Sequence, residues 1–191
     1  MSEMLEADFY ALIDEDDNRE FLGGRLVVSE PASNRHEDIF GFLLFLLRGF
    51  LEERGAGLVR GSHYPMRLDE KWSPEPDLLV VREERRHLMR TQRLEGPADL
   101  VIEITSGSKP RADIRLKLPR YREAKIPEIW LIDPYASSIR VEILESEGYR
   151  TATHGAGRLA AAVIPGFWLD VAWLWQEPLP PAASCLRQIL A

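Results

Sequence analysis

Ala98-Asp-Leu-Val-Ile-Glu-Ile-Thr105 and Glu128-Ile-Trp-Leu-Ile-Asp133, with Pro110 to Ala124 between them, decide the fold. Each flanking run is nearly all apolar over the length of a strand, which is how a strand reads when both of its faces are covered. In the intervening stretch Ser108 is a helix cap and Pro110 falls in a first turn, so this segment reads as a helix. Strand, helix and strand in that order make a βαβ unit, with parallel strands and a right-handed crossover that packs back on the sheet. Pro119 lies inside the helix and is expected to kink it or end its regular part, because proline lacks an amide and crowds the preceding turn.

Working outward, Pro74-Glu-Pro-Asp-Leu-Leu-Val-Val-Arg82 is a third apolar run and a third interior strand. Shorter strands are expected at Gly57 to Arg60 and His63 to Leu68. From Arg35 to Arg54, Ile39, Phe42, Leu43, Leu46, Leu47, Phe50 and Leu51 recur at helical spacing. Phe40, Leu44 and Phe45 widen that stripe, so most of the helix circumference is expected to be buried, with Ser33 or Asn34 as cap and Gly55 as stop. Arg19 to Ser29 reads as a hairpin turning at Gly23-Gly24, Glu3 to Ile13 as a short helix, and Ser138 to Glu145 with Gly148 to Thr153 as a second hairpin. Val171 to Gln176 reads as a last short helix, and Glu177 to Ala183, with three prolines, as tail or linker. The class is α/β, a central mixed β-sheet flanked by helices. A single domain is expected over residues 1–191, with an acidic N-terminal segment at 1–18 and a C-terminal tail at 177–191.

Composition narrows the function. With 191 residues, 45% hydrophobic and 29% charged, the chain is globular, and disordered, collagen-like and coiled-coil readings drop out. No apolar run approaches the ~20 residues needed to cross a bilayer, so no membrane partner is expected. The acidic N-terminus is unlike a secretory signal, and the single Cys185 excludes a disulfide framework or a cysteine zinc site, which fits a cytoplasmic protein. Residues 1–20 hold eight acidic groups against Arg19 alone, which accounts for the whole net charge of -7. Residues 108–125 hold seven cations against Asp113 and Glu123, a basic stripe of the kind that phosphate binding needs and that solvated helix faces also collect.

Two acids interrupt the apolar strands: Asp77 opens one, and Glu103 lies within Val101-Ile-Glu-Ile104. Strand alternation puts Glu103 on the face of Val101 and Thr105. A carboxylate so placed loses its charge or needs a cation, and two on neighbouring strands are what a hard divalent metal requires. The plainer alternative is that each pairs with an arginine at the sheet margin. On the following helix Asp113 and Lys117 stand at i and i+4 and share a face, which by spacing alone reads as a surface ion pair. Lys117 is one of four lysines against twenty arginines, so a compact ammonium at this place is a choice.

Pro76-Asp77, Asp99-Leu-Val-Ile-Glu103-Ile-Thr-Ser106, Asp113-xxx-Lys117-xxx-Tyr121 and Ile126-Pro-Glu-Ile-Trp-Leu-Ile-Asp-Pro134 together resemble the Uma-two family of the PD-(D/E)XK nuclease superfamily. The likeness extends to Glu20-Phe-Leu-Gly-Gly24, His36 and Pro165-Gly-Phe-Trp-Leu-Asp170. It implies a restriction-endonuclease-like fold and a metal-dependent DNA endonuclease that hydrolyses phosphodiester bonds. Asp77 and Glu103 would hold Mg²⁺ or Mn²⁺ with the backbone carbonyl of Ile104, and Lys117 would complete the site, with Glu20, His36 and Asp113 in support. Glu37 competes with Glu20 for the extra acidic position, and Glu20 matches the family better. The superfamily's usual lysine falls at Thr105 here, so Lys117 from the helix is its apparent replacement. Ser106 and Tyr121 read as structural, and Trp168, Trp173 and Trp175 as core or dimer contacts. The partner implied is nucleic acid, DNA above all, acted on by a homodimer because cutting two strands needs two sites. Two rivals stand beside this reading: a catalytically inactive nucleic-acid-binding or interaction module of the same fold, and a small-phosphate-ester hydrolase.

Overall fold

The computed structural model describes residue 9 and residues 19–28, 32–61, 63–105 and 112–191, the side chains of 19, 112 and 113 excepted. In chain order the elements are β1 (Arg19–Leu22), β2 (Leu26–Val28), α1 (Asn34–Arg54), β3 (Gly57–Gly61), β4 (Met66–Arg67), β5 (Trp72–Ser73), β6 (Leu78–Arg82), β7 (Leu94–Glu95) and β8 (Leu100–Ile104). Then follow α2 (Ala112–Glu123), β9 (Glu128–Asp133), β10 (Ser138–Glu145), β11 (Gly148–His154), β12 (Arg158–Ala160), β13 (Trp168–Asp170) and α3 (Ala182–Leu190). Short 3₁₀ turns occupy Glu83–Leu88 and Val171–Trp175.

Six strands form the central sheet in the order β11-β10-β9-β8-β6-β3. Only β8 and β9 run parallel, as the βαβ reading requires, and the remaining neighbours are antiparallel. The sheet is therefore mixed. Its apolar strands β6, β8 and β9 are interior ones, covered on both faces. On one face Leu78, Val80, Leu100, Ile102, Ile104, Trp130 and Ile132 pack in the same core as α1. On the other, Leu79, Val81, Val101 and Ile129 pack with Tyr121 of α2 and Ile126.

Ser33 caps α1 by accepting from the His36 amide, and Gly55 ends it at φ 58°, in the left-handed region where glycine carries no Cβ penalty. The stripe is narrower than expected: Phe45 is 45% exposed, so α1 keeps a solvent face. The β1–β2 hairpin turns at Gly23-Gly24, both at positive φ, the geometry that a two-residue turn between twisted strands selects. Phe9, the one described residue of the expected helix at 3–13, stacks on Phe21 with ring centroids 5.1 Å apart, and the rest of that segment lies outside the described residues.

Three expectations need correction. The helix at α2 runs through Pro119 to Glu123. Pro119 and Arg115, whose carbonyl loses its helical partner, are both on the exposed side, so losing that bond does not bury an unpaired group. The stretch His63 to Leu68 forms a strand only at Met66–Arg67, paired with β7. Residues 177–191 carry α3, whose Cys185 and Ile189 are buried in the core of α1 and whose Leu186 lies against Gly49. A Cβ at Gly49 would stand 2.4 Å from Leu186, so the missing side chain lets the two helices approach. Prolines obscured a helix that only its docking on α1 makes stable.

Candidate active site

The register of β6 and β8 pairs Leu78 with Ile102, which brings Asp77, one residue earlier, opposite Glu103. Cross-strand partners share a face, here the one that α2 covers. Asp77 is 7% exposed and Glu103 1%. Among the described residues, the contacts of both are with groups other than arginine. Asp77 Oδ2 accepts from the Ile104 amide at 2.6 Å, and Oδ1 lies 3.1 Å from His36 Nε2 at the start of α1. The other ring nitrogen of His36 lies 3.1 Å from Glu37 Oε1, so the buried imidazole bridges two carboxylates. Of Ile104, expected to offer its carbonyl, the amide is what touches Asp77.

Glu103 Oε1 accepts from the Tyr121 hydroxyl at 2.7 Å and lies 3.4 Å from Lys117 Nζ. Lys117 and Tyr121, one helical turn apart, both face the sheet from α2. Glu103 Oε2 is buried and has no hydrogen-bond partner among the described residues. Burial, with the charges of Asp77 and Glu20 nearby, pushes this carboxyl up to about 8, against the lowering pull of Lys117 and the Tyr121 hydrogen bond. Burial among the same carboxylates raises the Tyr121 phenol well above its ordinary range, so it stays a donor.

Lys117 is 1% exposed, so the surface ion-pair reading fails. Its Nζ lies 2.8 Å from Glu20 Oε2 and donates to the Glu75 carbonyl at 3.2 Å. Glu20 reaches this point from β1, held there by the small sheet β2-β1-β5, and its Oε2 also accepts from the Glu75 amide at 2.8 Å. Of the two acids weighed for the extra acidic position, Glu20 meets Lys117, whereas Glu37 lies outside on His36. The side chain of Asp113 lies outside the described residues, as do Ser106, Ser108 and Pro110.

Sequence reasoning passed over Glu75. Pro74 and Pro76 have no amide, so the Glu75 N–H is the donor of that run, and it goes to Glu20 while its carbonyl goes to Lys117. The signal was the Pro-Glu-Pro spacing. Glu75 Oε2 also lies 3.7 Å from Nδ1 of His63, a half-exposed ring at the rim. Of the described cations of the basic stripe, Lys117 turns inward, Arg120 pairs with Asp69 and Glu123, Arg122 grips Glu142 with two bonds of 2.6 and 2.7 Å, and Arg115 and Lys125 are exposed. Lys109 and Arg111 lie outside the described residues. Trp173 is a core residue, as expected, and Trp168 lies against it with ring centroids 5.4 Å apart and planes tilted by 39°.

Among the described residues no three His, Cys, Asp or Glu side chains form a ready metal cage. The donors that converge are hard oxygens, and one of them, Glu103 Oε2, is an orphan. That set suits a magnesium-like ion, which takes one or two carboxylates and fills its remaining positions with water. No described helix is long and apolar enough to cross a membrane.

Comparison with known proteins agrees with this architecture. A crystal structure of a "putative nuclease belonging to DUF820" from Anabaena variabilis superposes with a TM-score of 0.77 at 14% identity, covering 90% of this chain and 97% of that one. At that identity the match establishes the fold, which is restriction-endonuclease-like. No curated protein matches. The Uma2 family model, described as "Putative restriction endonuclease", matches residues 6–172, which takes in every site residue named above. The chain therefore belongs to the Uma2 family.

Proposed function

We propose that this protein is a metal-dependent DNA endonuclease whose site is built from Asp77, Glu103 and Lys117. One observation carries the reading: Lys117, arriving from the crossover helix, lies 3.4 Å from a glutamate that stands across the sheet from Asp77. A structural ion pair has no need of the second acid or of the orphaned oxygen. The family and the fold support hydrolysis of nucleic acid.

Asp77, Glu103 and the carbonyl of Ile104 would hold Mg²⁺ or Mn²⁺. Such an ion supplies a water of lowered pKa and offsets charge growing on the phosphate. The protein's own groups set the conditions. Tyr121 fixes Oε1 of Glu103, which leaves Oε2 directed at the site. Lys117 lowers the cost of ionising Glu103, and Glu20 holds Lys117 in place. His36 steadies the Asp77 carboxylate from the other side, as outer partners of metal-binding groups commonly do. Cutting both strands calls for two such sites, so a homodimer is part of the proposal.

The test is cleavage of supercoiled, linear and branched DNA with Mg²⁺ or Mn²⁺, comparing wild type with Asp77→Ala and Glu103→Ala, with sedimentation to read the assembly. Cutting that chelation and both substitutions abolish is expected. Intact DNA with every substrate and metal overturns the reading. Turnover of an aryl phosphate while plasmid stays whole replaces it with a small-ester hydrolase.

A further inference from the structure

Thr105 is the next residue after Glu103 on the α2 face of the sheet, and nothing in the chemistry above uses it. Its side chain is buried, 6% exposed, and its hydroxyl has no hydrogen-bond partner among the described residues. Its amide is committed to the Ile132 carbonyl at 2.9 Å, so the hydroxyl is what remains. Extending the β8–β9 register by one residue sets Asp133 beside it, but Asp133 Oδ1 accepts the amides of Tyr135 and Ala136, each at 3.0 Å. Buried hydroxyls are rarely left this way, and those that are need an explanation.

The surrounding groups supply one. In the ionised form that would hold a metal, the carboxylates of Asp77, Glu103 and Glu20 can only accept. Lys117 has three protons and three acceptors around it: Glu20 at 2.8 Å, the Glu75 carbonyl at 3.2 Å and Glu103 at 3.4 Å. The Tyr121 hydroxyl is given to Glu103 at 2.7 Å, and the His36 ring faces Asp77 and Glu37. With those carboxylates ionised, the Thr105 hydroxyl is the donor with no acceptor assigned among the described buried side chains of the site. A phosphodiester arriving at this site brings non-bridging oxygens that accept and cannot donate.

We infer that Thr105 is a catalytic residue, donating its hydroxyl hydrogen bond to a non-bridging oxygen of the scissile phosphate. The inference rests on the nuclease reading and adds a substrate contact to it. It explains a threonine at a buried position where valine, of the same shape, would pack without an orphaned oxygen. The hydroxyl is retained at a cost to the unliganded protein because it acts as charge accumulates on the phosphate.

The experiment compares wild type, Thr105→Val and Thr105→Ser in metal-dependent DNA cleavage and in thermal unfolding without metal. Thr105→Val is expected to lower kcat by on the order of 10²-fold, leave KM unchanged and raise Tm by about 2–4 °C. Thr105→Ser is expected to stay within a few-fold of wild type. A purely structural threonine would give the reverse pattern, with Thr105→Val melting lower and cutting normally below its melting point; that result overturns the inference. Wild type that cuts while Thr105→Val cuts equally well overturns this assignment alone. Wild type that cuts nothing overturns the nuclease reading and this assignment with it.

Discussion

Asp99, just before strand β8, and Glu103, within it, are each 1% exposed and have opposite surroundings. Asp99 is saturated. Its Oδ2 accepts from the Arg82 amide at 2.9 Å, and its Oδ1 meets Arg82 Nε at 3.2 Å and Arg85 Nη1 at 3.0 Å. Glu103 has a phenol and a shared ammonium on one oxygen and, among the described residues, no hydrogen bond on the other. The arginine-paired acid weighed for Asp77 and Glu103 exists, and it is Asp99. Burial of a carboxylate in an apolar strand therefore does not mark a site by itself. An incomplete set of partners, with other acids nearby, does. Glu142 repeats the saturated case between Arg122 and Arg140.

The contrast is open to direct attack. Glu103→Gln should cost about 10³-fold in metal-dependent cleavage, several kcal/mol of transition-state stabilisation, while the protein stays folded by circular dichroism. Retained cutting would make Glu103 the equal of Asp99. Asp99→Ala should do the opposite, leaving two cations and a buried amide without their acceptor. A loss of about 3 kcal/mol, or roughly 6–12 °C in Tm, is expected with cleavage intact at low temperature.

Lys117→Met removes the charge that pulls the Glu103 pKa down, so the pH midpoint of Mn²⁺ binding, read by titration calorimetry, should move upward. Cleavage should fall about tenfold at neutral pH and recover in alkaline buffer. In metal-free wild type, Glu103 holds its proton in the folded state up to about 8, against 4.5 when unfolded. Between those values the folded state binds more protons, so stability is greatest at acid pH and is lost as pH rises toward the folded value. Comparing the Tm profile of Glu103→Gln isolates this contribution, and its slope should be the flatter one. The smallest effect belongs to Arg140→Met. Arg140 is 44% exposed and Glu142 keeps both bonds to Arg122, so a cost of about 0–1 kcal/mol is expected in chemical denaturation.

The parts of the molecule written as local patterns were readable in one dimension. Strand β9, the βαβ unit, the Gly23-Gly24 turn and α1 with its Ser33 cap follow from apolar period, turn residues and caps, which act over a few neighbours. The C-terminal helix was not readable, because nine residues behind a proline run gain their helical state by burying Cys185 and Ile189 against α1. Lys117 was singled out as a rare lysine and expected over the acids from the family pattern. Its spacing from Asp113 suggested a surface pair instead, and only the packing of α2 on the sheet turns it inward.

What the sequence alone determined is the order of elements and the identity of the acids, Asp77 and Glu103, since an acid in an apolar strand is conspicuous wherever that strand goes. The tertiary structure decided which buried acids are satisfied. Arg82 and Arg85 reach Asp99 and no described arginine reaches Glu103, and Glu20, Glu75 and Lys117 meet from three segments far apart in the chain. Partner sets of that kind depend on strand register and helix docking, which are set by burial summed over the whole core and leave no periodic trace in the chain.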